Sequence, residues 1–122
     1  MKEIYKGGDK MLVDVNKVKV IVFVPRSHTE IVKDAMSECG AGVIGNYSHC
    51  FSSHKTKGEF MPNNLASPYI GKLQKLEKVK EDRVEAVCNI ENVKSVVLNI
   101  KKVHPYEEPE IDIIPLIDEK SL

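Results

Sequence analysis

VKVIVFV, residues 18–24, followed at once by Pro25-Arg26-Ser27, is the stretch from which the architecture can be read. Its β-branched residues fit a pleated surface better than a helix, where their χ1 freedom is lost. The nearly continuous apolar run predicts a central strand covered on at least one face. Pro25 ends the strand. Ser27 and Glu30 then have the S-x-x-E spacing of a capping box, in which two side chains satisfy orphan backbone donors at a helix start. Ile31, Val32, Ala35, Met36 and Cys39 fall on one helical stripe, and Gly40 supplies a left-handed stop.

The same strand-to-helix unit recurs downstream. Arg83–Ile90 (RVEAVCNI) reads as a strand, and Asn89 is placed to cap a helix. Val93, Val96, Val97, Ile100 and Val103 form that helix's apolar stripe. Valine has poor helix propensity, so packing against a sheet must hold the helix together. Pro105 stops it, and Ile111–Leu116 is a strand whose Pro115 places it at an edge. Between the two units, Val43–Phe60 reads as a twisted hairpin with its turn at Lys55–Gly58. Met61–Pro68 is a loop by composition, and Leu73, Leu76 and Val79 mark a short helix.

The order is therefore βαββαβ, which predicts an α+β, ferredoxin-like sandwich with an antiparallel sheet and two helices on one face. A doubly wound parallel sheet would open with a Gly-rich turn, and Pro25-Arg26-Ser27 offers no phosphate cradle. The expected organisation is an N-terminal extension at 1–17, the domain at 18–117 and a short tail at 118–122. The extension carries Gly7-Gly8-Asp9 as a turn and a short strand near Met11–Val15.

Composition narrows the functional classes. The 122 residues suit one domain. Eighteen basic residues balance eighteen acidic ones, so nothing supplies the basic excess that drives nucleic-acid affinity. Cys39, Cys50 and Cys88 are an odd number without a C-x-x-C pair, against a disulfide framework or a cysteine zinc site. No apolar run approaches the roughly 18 residues of a membrane span. A cytoplasmic protein with no nucleic-acid or membrane partner is expected.

Two stretches look chemical. His104-Pro105-Tyr106-Glu107-Glu108-Pro109 offers a histidine beside carboxylates, but adjacent glutamates on extended backbone point to opposite faces and make a poor catalytic pair. Two prolines favour a rigid helix-to-strand turn. In Gly45–Cys50, His49 and Cys50 would diverge across a strand, and Cys50 and His54 would lie about 13 Å apart, too far to share one zinc. A Cys50–His104 nucleophile pair has no local signature. The charged run Lys72–Arg83 reads as a solvated face.

Three stretches carry a family resemblance: Gly40–Cys50 (GAGVIGNYSHC), Pro68-Tyr69-Ile70-Gly71 with Lys75-Leu76-Glu77, and His104–Pro109 with Asp112 and Ile113. Together they resemble the domain inserted in YqfO-type proteins of the Nif-three-like family, and the last is similar to the final crossover of CutA. The resemblance covers roughly Val18 to Leu116. It implies a CutA-like or PII-like fold, a homo-oligomer with a trimer favoured, and a non-catalytic binding or regulatory module. It does not carry the family's two-metal site, which belongs to flanking domains. No catalytic residue, metal ligand or cofactor is therefore assigned. Candidates for a ligand site or subunit cleft are Gly45, Asn46, Tyr47, His49, Tyr69, Gly71, His104, Tyr106, Glu107 and Glu108. Two alternatives stand beside this reading. One is divalent-metal binding through His49, His54 and His104 with nearby carboxylates, and the other a small hydrolase using His104 or Cys50.

Overall fold

The computed structural model describes residues 2–6 and 8–122, with backbone alone in 2–6 and 9–13. Gly7, one position of the expected Gly7-Gly8-Asp9 turn, lies outside the described residues. Strands β1 (Lys2–Lys6) and β2 (Asp9–Val13) pair antiparallel as a two-stranded sheet of their own, with Lys6 opposite Asp9. Gly8 turns the chain between them at φ +86°, a conformation glycine adopts without strain.

The domain proper runs β3 (Lys17–Pro25), α1 (Thr29–Glu38), β4 (Ser52–Phe60), β5 (Glu77–Asn89), α2 (Val93–Val103) and β6 (Ile111–Leu116). Its sheet has the order β4-β5-β3-β6, and every neighbouring pair is antiparallel. This is the ferredoxin-like arrangement. Both central strands come from the two strand-to-helix units, and β4 and β6 form the edges.

Period-two alternation decides which face is core. Val18, Val20, Val22 and Val24 of β3 lie opposite or diagonal to Val84, Ala86 and Cys88 of β5, and all are buried. Val32 and Met36 of α1 and Val96 and Ile100 of α2 close over them, each with no exposed surface. Burying each such side chain contributes about 1.5–3 kcal/mol, which offsets the weak propensity of the valine-rich α2. Asn99 ties the helices together, donating to Ala35 O at 2.7 Å and to Glu38 Oε2 at 3.2 Å. Gly40 ends α1 at φ +94°, as its sequence position predicts.

Four local expectations fail. The capping box does not form, because a 3-10 turn over Arg26–His28 precedes α1 and displaces Ser27 from the helix start. Ser27 Oγ instead bonds His28 Nδ1 at 2.7 Å, while Thr29 Oγ1 donates to Asp82 Oδ2 at 2.8 Å and Arg26 Nε lies 3.6 Å from Oδ1. A second 3-10 turn, Ile90–Asn92, likewise leaves Asn89 without a capping bond. No hairpin turns at Lys55–Gly58, since β4 runs unbroken through those residues in register with Asp82, Glu81, Lys80 and Val79 of β5. No helix spans Leu73–Val79: β5 begins at Glu77 and extends to thirteen residues, so the supposed solvated face is half strand.

Candidate functional site

The His104–Pro109 segment leaves α2 and is locked by its own side chains. His104 is 7% exposed. Its Nδ1 accepts the Tyr106 backbone N–H at 3.1 Å, so the ring proton resides on Nε2 and is donated to Phe23 O at 2.7 Å. Both nitrogens are thus engaged. Burial pushes the imidazole below its ordinary value, and the Phe23 carbonyl opposes that shift only in part. A neutral histidine with no free lone pair is a structural strut, not a metal ligand or general base.

The strut aims Tyr106. Its ring lies 4.9 Å from the His104 ring and 6.1 Å from Phe60, centroid to centroid. Its hydroxyl donates to Glu81 Oε2 at 2.7 Å. Burial first, then the Glu81 carboxylate, drive the phenol well above its ordinary range. Glu81 itself is 6% exposed. Its other oxygen, Oε1, lies where a Cβ on residue 58 would stand, so the mid-strand glycine leaves room for the carboxylate in this position.

Above this pair opens a cavity of about 620 Å³. It lies between the C-terminal half of β4, the loop 61–70 and the segment 106–110, with Phe23, Phe60, Met61, Leu65 and Tyr69 among its walls. That volume is within the roughly 300–1,000 Å³ typical of small-molecule sites. Glu107 Oε1 accepts the Ser67 N–H at 3.1 Å and ties the loop to the turn. Gln74 N–H closes the loop's far end on Pro62 O at 2.7 Å, and Tyr69 stands edge-on to His28 at 5.8 Å. Glu110 also lines the space, its carboxyl raised by burial and by the neighbouring Asp112.

Of the sequence-derived candidates, Tyr69, Tyr106, Glu107 and Glu108 converge on this cavity. His104 lies beneath it. Gly71, at φ +97°, shapes the approach to β5, where an added Cβ would meet Glu77 at 3.3 Å. Gly45, Asn46, Tyr47 and His49 go elsewhere. Ile44 and Tyr47 exchange two backbone bonds around Gly45 (φ +57°), leaving Tyr47 75% exposed. His49 sits at φ +59° with Nδ1 2.9 Å from Ser48 Oγ. This loop is anchored by Gly42 N–H on Val87 O, whereas His104 is anchored on Phe23, the partner of Arg83. Four residues of β5 separate those anchors, about 13 Å. Cys50, whose N–H bonds Gly42 O, belongs to the first of these anchors and His104 to the second. Among the described residues, no three His, Cys, Asp or Glu side chains converge as metal donors.

Glu81, Gly58, Phe60 and Phe23 were missed as site residues. The signal for Glu81 was the alternation running back from Val87 through Glu85 and Arg83, which puts it on the sheet face away from the helices.

No protein-family model matches the chain. It is 44% identical over 101 residues to the GTP cyclohydrolase 1 type 2 homolog of Halalkalibacterium halodurans, a match spanning 83% of this chain and 27% of that protein. It is 43% identical over 99 residues to the protein of the same name from Mycobacterium tuberculosis, with 81% and 26% covered. The chain thus spans about a quarter of the length of the curated relatives it matches. Among solved structures, the Bacillus cereus protein related to NIF3 superposes with a TM-score of 0.74 at 38% identity, over 84% of this chain and 26% of that one. The periplasmic divalent cation tolerance protein CutA of Archaeoglobus fulgidus superposes with a TM-score of 0.60 at 19% identity, over 82% and 83%, a likeness of fold alone. The chain belongs with the Nif-three-like, YqfO-type proteins as the counterpart of one segment of about a quarter of their length, and it has the CutA-type fold.

Proposed function

We propose that this chain is a non-catalytic, oligomer-forming binding module whose ligand site is the cavity above Glu81 and Tyr106. The observation that carries the reading is the way the polar groups there are used. His104, Tyr106 and Glu107 hold the walls in place through hydrogen bonds to backbone groups and to Glu81. A rigid, aromatic-walled cleft with a few placed polar groups is what a small-molecule site requires. Chemical-shift mapping of a fragment library by two-dimensional amide NMR tests it. Perturbations clustered at residues 56–70, 81 and 106–110 are expected, and perturbations clustered at residues 43–50 would contradict it.

Self-association is supported by the sheet face opposite the helices. Ile21, Phe23, Val79, Val87, Ile114 and Leu116 alternate onto that face, and Ile114 keeps 46% of its surface exposed. A second layer from other copies would cover it, with a closed trimer favoured. Size-exclusion chromatography with light scattering should give about three times the chain mass of 13.7 kDa, and a strict monomer at micromolar concentration would overturn it. The three unpaired thiols, Cys39, Cys50 and Cys88, suit a reducing cytoplasm. Residues 18–117 form the module, with 1–17 and 118–122 as appendages.

A further inference from the structure

We propose that the ligand of this cavity is an organic cation, an ammonium group carried on an apolar or aromatic body, with Glu81 Oε1 as its counter-charge. The inference rests on the binding-site reading above and adds the ligand's chemical class.

Glu81 sits on a central strand, 6% exposed, with its carboxylate in the cavity wall. One oxygen is satisfied by the Tyr106 hydroxyl at 2.7 Å. Among the described residues no cation pairs with the other, and Oε1 receives no hydrogen bond. A carboxylate removed this far from water is costly unless a charge or donor meets it, and a neutral phenol supplies one donor only. Oε1, which lies beside Gly58, has no protein partner among the described residues and is the oxygen left for a ligand.

The rest of the lining has the same sign. Glu107, Glu108 and Glu110 join Glu81, whereas Glu59 lies with Lys57 on the other sheet face and pairs there with Lys78 at 3.7 Å; Lys57 is the one basic side chain among the described lining residues. Lys57 cannot serve as the missing partner, because its register opposite Lys80 puts it on the other sheet face from Gly58 and Glu81. The Glu110 carboxyl is raised by burial first, then by Asp112, with Glu81 adding to the shift. A bare divalent metal would find no group of three His, Cys, Asp or Glu donors among the described residues. The walls beside Glu81 are instead the rings of Phe23, Phe60, Tyr69 and Tyr106. Aromatic faces attract a desolvated ammonium and accept its hydrocarbon body. Charge and shape together select an organic amine over an anion, a nucleotide phosphate or a metal.

The test uses the full chain and three probes of similar size: phenethylamine, 2-phenylethanol and phenylacetate, titrated at pH 7 with amide NMR as the readout. Phenethylamine should shift the amides of Gly58, Glu81 and Tyr106 and bind at least about tenfold more tightly than the alcohol. Phenylacetate should not bind. Glu81→Gln keeps an acceptor for the Tyr106 hydroxyl and nearly the same volume. It should reduce the amine's affinity to that of the alcohol while the spectrum stays folded. If amine and alcohol bind equally, or Glu81→Gln leaves the preference intact, the cation assignment falls and the binding site survives. If none of the three probes moves any cavity amide, the binding-site reading falls with it.

Discussion

The two histidine-bearing stretches, Gly45–Cys50 and His104–Pro109, are alike in sequence and opposite in structure. Each has a histidine and a tyrosine within six positions, beside a glycine in the first and two prolines in the second. In the first, glycine and a left-handed His49 make a tight exposed loop whose side chains bond only their neighbours. In the second, prolines fix the path and His104 reaches across to Phe23, eighty-one residues away in sequence. Long-range anchorage, not residue type, separates a wall of the site from a surface loop. The lesson extends to the histidine itself. The ring that looked most chemical is the one whose lone pair and proton are both spent on holding backbone.

The contrast should be sharpest on removing the ring from each stretch. His104→Ala leaves Phe23 O and the Tyr106 N–H unpartnered and opens a void beneath the cavity. It should cost about 2–4 kcal/mol, read as a lower denaturant midpoint with an unchanged m-value. Tyr106→Phe leaves Glu81 Oε2 without its donor in a nearly water-free wall, and a loss of about 1–3 kcal/mol is expected by the same measurement. Were it neutral, the Glu81–Tyr106 bond would not be the support described.

Titration separates the stretches more gently. His104 has a lowered folded-state pKa, so the unfolded chain binds its proton first as pH falls. The stability from keeping this ring neutral is fully present above the unfolded value near 6.5 and is lost as pH drops through that value toward the folded one. Thermal melts from pH 8 to 5 should show this decline in the wild type and a shallower one in His104→Gln. Equal slopes would remove His104 as its source. The smallest effect belongs to the other loop. His49→Gly relieves a left-handed backbone but frees the unfolded chain, so the two should nearly cancel, to within about 1 kcal/mol.

The fold was legible because its evidence is periodic. Valine alternation in β3 and the 3.6-residue stripes of α1 and α2 each repeat one instruction several times. The capping box misled because a single 3-10 turn moves a helix start by a few residues, and short-range spacing cannot register that. Half of the site was legible in the His-Pro-Tyr segment, since prolines announce a fixed turn. Glu81 and Gly58 were hidden for a physical reason. A charged residue amid Glu77–Asp82 reads as solvated, and a glycine after Lys57 reads as a turn, until strand pairing sets one against the other. Neither residue signals its role without its partner.

The central claim is that His104–Pro109 is the rigid floor of a binding cavity, with the His104 proton given to Phe23. Long-range proton–nitrogen NMR of the histidine rings addresses it directly. His104 is predicted to be neutral at pH 7, protonated at Nε2 with Nδ1 as an acceptor, and to hold that state below pH 6.5, the ordinary value. A proton on Nδ1 in the neutral ring, or titration at or above 6.5, would contradict the account.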